Sequence, residues 1–476
     1  MLGLTRSTPV FPFIESFCMK QIPLALVMGL TVALSQSAQA QNLLDLWGAA
    51  KSYDASYQSA LALYKSSKNK ADEGLAGILP TMALSTNSTR NLIDYTPDVI
   101  TLNQTNPSSS VIPYQRWFGT HIAAFTAVQP LFRPVNYRTY LQSKSILAQS
   151  VAQLVASEQD LIVRMCQAYF DVLVSQETLD FTRAQKRATE EQLASAKRNF
   201  EVGTATITDT HDAQARYDLV VAQEVAAQND LNVKKMNLDQ LVGMQQTKPV
   251  PMMAEAPIER LMPTNMEDWV ANSEKSHPNV LNAKLGMDIA NLEVKKAFDG
   301  HLPTVDLTAS MTGTRNLDGT NTSGLSTLGT HVLNKSVGVV INVPIFSGFY
   351  VQNRIKETEN LADKARYDYE YARRTAALST QSAYLNLVSG IGQVNALKAA
   401  ERSTQKSLES NQLGYSVGLK LNIDVLNAQS QRYQTKRDLA QARYNVLMQE
   451  LKLKQASGIL QASDLNELNE MLERQP

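Results

Sequence analysis

The chain has 476 residues, 45 Lys and Arg against 45 Asp and Glu, and a hydrophobic fraction of 43%. Balanced charge gives no general attraction to nucleic acid or to acidic substrates, so neither is expected as a partner. The length would hold two or three ordinary domains, but only 21 Gly and 17 Pro are present, clustered at a few places, and that predicts long uninterrupted helices.

Met19 to Ala40 has basic Lys20, an apolar run from Ile22 to Leu34, and Ala38-Gln39-Ala40 as a small-x-small site. It reads as a secretory signal peptide ending at residue 40, since the run is too short for an anchor and no stop-transfer charges follow. Residues 1–18 are atypical of a leader, which makes Met19 an alternative start to Met1. Cys18 would leave with the leader, so Cys166 stands alone and no intramolecular disulfide is expected. No cysteine follows the cleavage site, which argues against a lipid anchor.

The first half, residues 41–243, opens with a helical pattern from Leu43 to about Gly77, stopped by Pro80. A β-hairpin over 81–128 follows, with a polar, proline-bearing loop from Asp94 to Pro113 and strict alternation from Phe118 to Val128. After Pro130-Leu131-Phe132 comes a stretch without proline over 136–200, on the order of 100 Å long as a helix. Its apolar positions Leu147, Val151, Leu154, Leu161, Met165, Ala168, Val172, Ser175 and Leu179 step by three, four or seven, as on a coiled-coil face. A second helix covers 209–241. Residues 244–265 carry four prolines and read as an irregular connector.

Residues 266–458 repeat this order: a helix, a hairpin over 304–343, Pro344-Ile345-Phe346, a long helix over 351–415 and a shorter one over 424–456. Thr304 to Thr312 is sharply two-faced. Pro80 recurs as Pro303 and Pro130 as Pro344, the first interval slightly the longer, so the first hairpin is the larger of the two. Residues 459–476 are the C-terminal tail, and from Asp464, with Glu467, Glu470 and Glu473, it reads as loosely held and acidic. The turns match closely: Phe200 to Gln214 and Tyr415 to Gln429 share aromatic-x-Val-Gly, five residues, then Asp. The interval from Gly203 to Gly418 is the same as that from Gly243 to Gly458, the mark of an internal duplication. A left-handed glycine ends one helix and the aspartate caps the next, so each copy predicts a tight turn between antiparallel helices.

Four strands with one apolar face cannot close a barrel, and an open edge in lipid leaves backbone groups unsatisfied. Several chains must therefore pool their strands. Tyr114, Trp117 and Phe118 at one end, with Phe132 and Phe346 toward the other, suit aromatic girdles. The apolar stripes of the long helices suggest packing around a hollow cylinder.

The order helix, hairpin, long helix, Val-Gly turn, helix, twice over, with Leu79-Pro80-Thr81 and Leu302-Pro303-Thr304 before each hairpin, resembles the TolC family of outer-membrane factors. The resemblance spans nearly the whole mature chain. It implies a mostly α fold with a membrane β-barrel part: a homotrimer with a 12-stranded barrel in the outer membrane of a Gram-negative bacterium and a long α-helical barrel in the periplasm. It implies an export channel for type I protein secretion or multidrug efflux, working with a periplasmic membrane-fusion adaptor and an inner-membrane ABC or RND-type transporter. The absence of a lipidation cysteine leans toward the secretion branch.

No enzyme signature, metal-ligand spacing, P-loop or dinucleotide fingerprint is present, so no catalysis, metal or cofactor is expected. His121, on a strand, reads as a lumen-facing polar residue rather than a ligand. The resemblance places the periplasmic gate on the turns: the gate tyrosine on Tyr415, a basic link on Lys420 and its acidic partner on Asp209. Lys at this position lacks the planar fork of arginine. Asp424 matches an acidic pore ring, while Asn427 stands where a second ring is expected, which weakens the field. Capping of the returning helices is the bland alternative for Asp209 and Asp424. Val202, Gly203, Val417 and Gly418 resemble turns that meet an adaptor's helical tips. A free-standing porin would lack the long helices, and a periplasmic coiled-coil adaptor would lack the paired amphipathic strands.

Overall fold

The computed structural model describes residues 42–95, 114–252, 265–317 and 329–472. The expected leader lies outside them, as do residues 96–113 of the first expected loop and 318–328 of the second hairpin; Asp94 and Tyr95, expected in the loop, end the first strand instead. Two successive halves have the same element order. The first runs α1 (Leu43–Tyr53), α2 (Ala55–Ala76), β1 (Thr81–Tyr95), β2 (Tyr114–Phe132), α3 (Pro134–Glu201) and α4 (Ile207–Val242). The second runs α5 (Met266–Ser276), α6 (Pro278–Phe298), β3 (Thr304–Leu317), β4 (Thr330–Asn342), α7 (Tyr350–Ser416) and α8 (Asn422–Ala456), and a short α9 (Asp464–Glu470) follows. Among the described residues, no helix is long and apolar enough to cross a membrane.

The single helix expected from Leu43 to Gly77 is broken at Asp54. Its backbone is extended, its carboxylate accepts the N–H of Tyr57 at 2.8 Å, and Arg164 of α3 holds both oxygens at 3.1 and 3.2 Å. His277, its counterpart in the second half, makes the same break between α5 and α6. Pro278 follows at the first helical position, where its missing N–H costs nothing.

The strands form one antiparallel sheet in the order β1-β2-β3-β4, so the two halves join through β2 and β3. Strand β2 runs through Pro130 to Phe132, beyond the expected end, with a register shift between Pro130 and Phe132. Proline has no N–H for the ladder, so a bulge there is its natural site. Leu307, Met311, Arg315 and Leu317 are exposed, while the residues between them are half-buried. The sheet is therefore curved, with Thr308, Ser310, Thr312, Thr314 and Asn316 on the concave side. Polar concave and apolar convex faces are those of a barrel wall with a wet lumen.

This curvature corrects one expectation. His121 is the cross-strand partner of Arg315 and lies on the convex face, not toward the lumen. Trp117 shares that face and is exposed, whereas Phe118 takes the concave one. Phe346 lies beyond β4, its ring edge-on to that of Phe349 at 5.5 Å.

A wide apolar belt sits at mid-height on α3. Leu161, Ile162, Met165, Cys166, Tyr169, Phe170, Val172 and Leu179 pack there with α1 and with Tyr444, Leu447, Met448 and Leu451 of α8. Tyr169 donates to the carbonyl of Val250 at 2.8 Å, which pins the connector. The opposite face of α8 packs Leu439, Ala442 and Val446 against Leu387, Ile391 and Val394 of α7. So α8 is buried on two sides, as a wall helix must be. The C-terminal segment is not loose. Leu465, Leu468 and Leu472 are buried in the belt, and Lys454 holds Asp464 and Glu467, each at 3.1 Å.

Nearer the sheet, the heptad-like stripe of α3 stops describing its packing. Val151 is exposed, and Gln142, Ser143 and Ser150 are buried instead, because α2 and α6 flank α3 there. Glu293 of α6 is the hub: it accepts from Gln142 of α3 at 2.8 Å and from Arg354 of α7 at 2.7 Å, and pairs with Lys296 at 2.6 Å. Burial alone would raise its pKa, but the three donors outweigh burial and hold it at about 2. Its unfolded value is about 4.3, so its contribution is present above that pH and is lost as pH falls toward 2. Glu293→Gln should cost about 1–2 kcal/mol at neutral pH. The melting gap to wild type should close over that acid range; a gap that does not change with pH would show that charge is not what Glu293 contributes.

Candidate functional site: the two helical turns

Both turns are built as their sequences dictate. Gly203 and Gly418 have φ of +77° and +79°, the left-handed region open to glycine at no steric cost. The N–H groups of Thr204 and Ala205 return to the carbonyl of Asn199, and those of Leu419 and Lys420 to the carbonyl of Gly414. In the first turn, Thr206 and Asp209 form a full capping box: the Thr206 hydroxyl accepts the Asp209 N–H at 3.2 Å and the Asp209 carboxylate accepts the Thr206 N–H at 3.0 Å. The second turn has half of it, because Leu421 offers no oxygen and only the Asp424 carboxylate accepts from the Leu421 N–H, at 3.2 Å. Each aspartate thus caps a helix here.

Aligning the repeats on Gly203 and Gly418 shows where they differ. Phe200, Ala205 and Ile207 become Tyr415, Lys420 and Asn422, so the second turn gains three polar side chains. Tyr415 is half-buried and its hydroxyl accepts from Asn199 Nδ2 at 3.3 Å. Asn422 is buried; it accepts from Gln192 of α3 and donates to the carbonyl of Asp209 at 3.4 Å. Asn427 accepts from Arg216 of α4 at 2.8 Å. These bonds tie one helical hairpin of the chain to the other, around a small apolar contact of Leu193, Ala196, Ala213 and Leu426.

Lys420 behaves differently. Its stem lies over Gly414, where an added Cβ would stand 2.7 Å from Lys420 Cγ, so glycine is kept in a helix at a cost of about 1 kcal/mol against alanine. Its ammonium has no ion-pair partner among the described residues of its own chain; Asp209, the expected partner, is engaged in its cap. Val202, Val417, Leu419 and Leu421 are exposed at the tips. Sequence reading missed Asn199, Gln192, Arg216 and Asn422. The Ile207 to Asn422 difference between repeats was the available signal.

The chain matches the model of the outer membrane efflux protein family over residues 46–244 and 269–459. It belongs to that family. Outer membrane protein TolC of Escherichia coli (strain K12) is 31% identical over 464 residues, covering 95% of this chain and 89% of that protein. Alkaline protease secretion protein AprF of Pseudomonas aeruginosa is 26% identical, covering 91% and 87%. The crystal structure of the outer membrane protein VceC of Vibrio cholerae superposes with a TM-score of 0.71 at 17% identity, covering 87% of this chain and 96% of that one. The chain is accordingly a subunit of an outer-membrane exit duct of Gram-negative bacteria, of the TolC-like kind that serves efflux and type I secretion. Members of the family form trimers and work with adaptors and inner-membrane pumps, which resolves the open edges of β1 and β4: three such sheets give twelve strands. The relatives are channel proteins rather than enzymes. Among the described residues, no group of three His, Cys, Asp or Glu is placed to hold a metal.

Proposed function

We propose that the two turns are the periplasmic gate of the duct and that Lys420 closes it by reaching a carboxylate of a neighbouring protomer, Asp209 being the nearest in role. The observation that carries this reading is the Lys420 ammonium: its stem is seated on Gly414, yet its own chain gives it no counter-charge among the described residues. Tyr415, bonded to Asn199, and Asn427, bonded to Arg216, hold the second turn against the first hairpin. Three copies of Asp424 around one axis supply a cation-attracting ring, without a second ring at Asn427. The exposed valines and glycines at Val202-Gly203 and Val417-Gly418 receive the helical tips of a periplasmic membrane-fusion adaptor, which couples the duct to an ABC or RND-type inner-membrane transporter. Similarity to TolC and to AprF along most of the chain supports a role in protein secretion alongside efflux.

Ion selectivity of the purified trimer in planar bilayers tests the ring. Asp424→Asn keeps a capping oxygen and removes the charge, so cation preference should fall while the melting temperature holds. Unchanged selectivity would place Asp424 outside the pore.

A further inference from the structure

One ordered feature of the sheet lies away from the lumen. The strand registers place Ser88 opposite His121, His121 opposite Arg315, and Arg315 opposite His331, so a single row crosses all four strands. Strand alternation puts the whole row on the convex face, the side that meets lipid. Ser88 Oγ lies 2.8 Å from His121 Nδ1, which leaves Nε2 of that ring for another partner. Arg315 and His331 are exposed, and no carboxylate among the described residues pairs with either. Farther from the helices, Arg90 stacks on Trp117 at 5.5 Å. The only carboxylate on the described convex face is Asp94, at the far end, where it accepts from Gln115.

The height of the row identifies its surroundings. Between it and the helices the convex face is mostly apolar, through Leu333, Met311, Phe125, Val337 and Leu307, with Lys335 beside Met311 the one charged side chain there among the described residues, its stem long enough to carry the ammonium toward the headgroups. Val305 and Arg315 are ten positions apart on β3. At about 3.3 Å per residue and a tilt of about 40°, that is about 25 Å of height, the usual depth of the apolar band of an outer-membrane barrel. Arg315 therefore stands where hydrocarbon ends, on the side away from the periplasmic helices, with His121 and His331 within about 3 Å of it in height at that tilt. That level holds the headgroups of the outer leaflet. His121, Arg315 and His331 sit on adjacent strands about 4.8 Å apart, so their donors span about 10 Å, and an imidazole offers an N–H to a phosphate oxygen in any protonation state.

We propose that the row His121–Arg315–His331 is a binding site for the phosphate groups of outer-leaflet glycolipid of the lipid A class, repeated three times around the barrel. It holds whatever the duct exports and whatever closes it. Arg315 supplies the planar two-point grip on phosphate, and the flanking histidines widen the site across three strands.

The test uses the full-length trimer in nanodiscs of phosphatidylcholine doped with lipid A, with lipid A stripped of its phosphates, or with phosphatidylglycerol; lipid retained per trimer is read by native mass spectrometry. Wild type should retain lipid A in preference to both others. Arg315→Gln should lower lipid A retention about fivefold, the usual effect of one basic residue at an anionic surface, and adding His121→Gln and His331→Gln should lower it further. Trimer assembly and conductance should not change, since none of these residues faces the lumen. If the triple variant fails to assemble, the single Arg315→Gln carries the comparison. Equal retention of lipid A by wild type and Arg315→Gln would overturn the proposal. So would wild type holding phosphatidylglycerol or dephosphorylated lipid A as well as lipid A.

Discussion

Gly458→Ala is expected to lower the melting temperature of the trimer steeply, while the same change at Gly418 leaves it nearly unchanged. Gly458 ends α8 with φ of +77°, and an added Cβ would lie 2.5 Å from His277 Cα, 2.7 Å from His277 N and 2.7 Å from the Ser276 carbonyl oxygen. All three are backbone atoms at the break between α5 and α6, so no rotamer change relieves the overlap. Left-handed strain and overpacking together should cost on the order of 3–5 kcal/mol. Gly418 has φ of +79° but open space around it, so only the strain of about 1 kcal/mol applies. Thermal unfolding of the two variants in detergent separates the effects. Equal melting temperatures would mean that the α8 terminus is free to move away from α5 and α6.

Tyr415→Phe combined with Lys420→Ser should raise the resting conductance of single trimers. The phenylalanine loses the bond from Asn199, and the serine removes the basic group at the turn that has no counter-charge among the described residues of its own chain. A hydrogen bond worth about 1 kcal/mol, lost in three protomers, shifts the closed-to-open ratio by on the order of 100-fold. Planar bilayer recording of the variant beside wild type gives the answer. Identical resting currents would mean that the closed state is held elsewhere, with Asn422 and Arg216 the next residues to change.

Long helices, two hairpins and two turns were legible because each rests on local chemistry: proline placement, a period of two or of seven, and glycine followed by a capping aspartate. What sequence alone did not reveal depends on neighbours. Alternation divides β2 into two faces, but both faces mix apolar and polar residues, so the side taken by His121 is settled only by pairing with the cleaner β3. Tyr415 carries the mark of a polar residue in an aromatic position, yet nothing local points to Asn199, which lies in the other half of the chain. The segment after Gly458 reads as a loose tail through its charges alone. Leu465, Leu468 and Leu472 step by three and four, a helical period that the glutamates between them obscure.

The unequal packing along α3 and α8 has a mechanical meaning. The belt of Tyr169, Phe170 and Tyr444 is broad and dry, whereas the tips are joined by four apolar side chains and a few amides. A rod clamped at mid-height and lightly tied at its end is a lever. The stretch of α8 from Tyr444 down to Asn422 is an arm of about 33 Å. Swinging that arm by about 10° moves its tip by about 6 Å, close to one helical pitch. In the proposed gate the belt can thus stay still as a fulcrum while the tips part, and the work of opening would fall on the few bonds at the second turn rather than on the body of the duct.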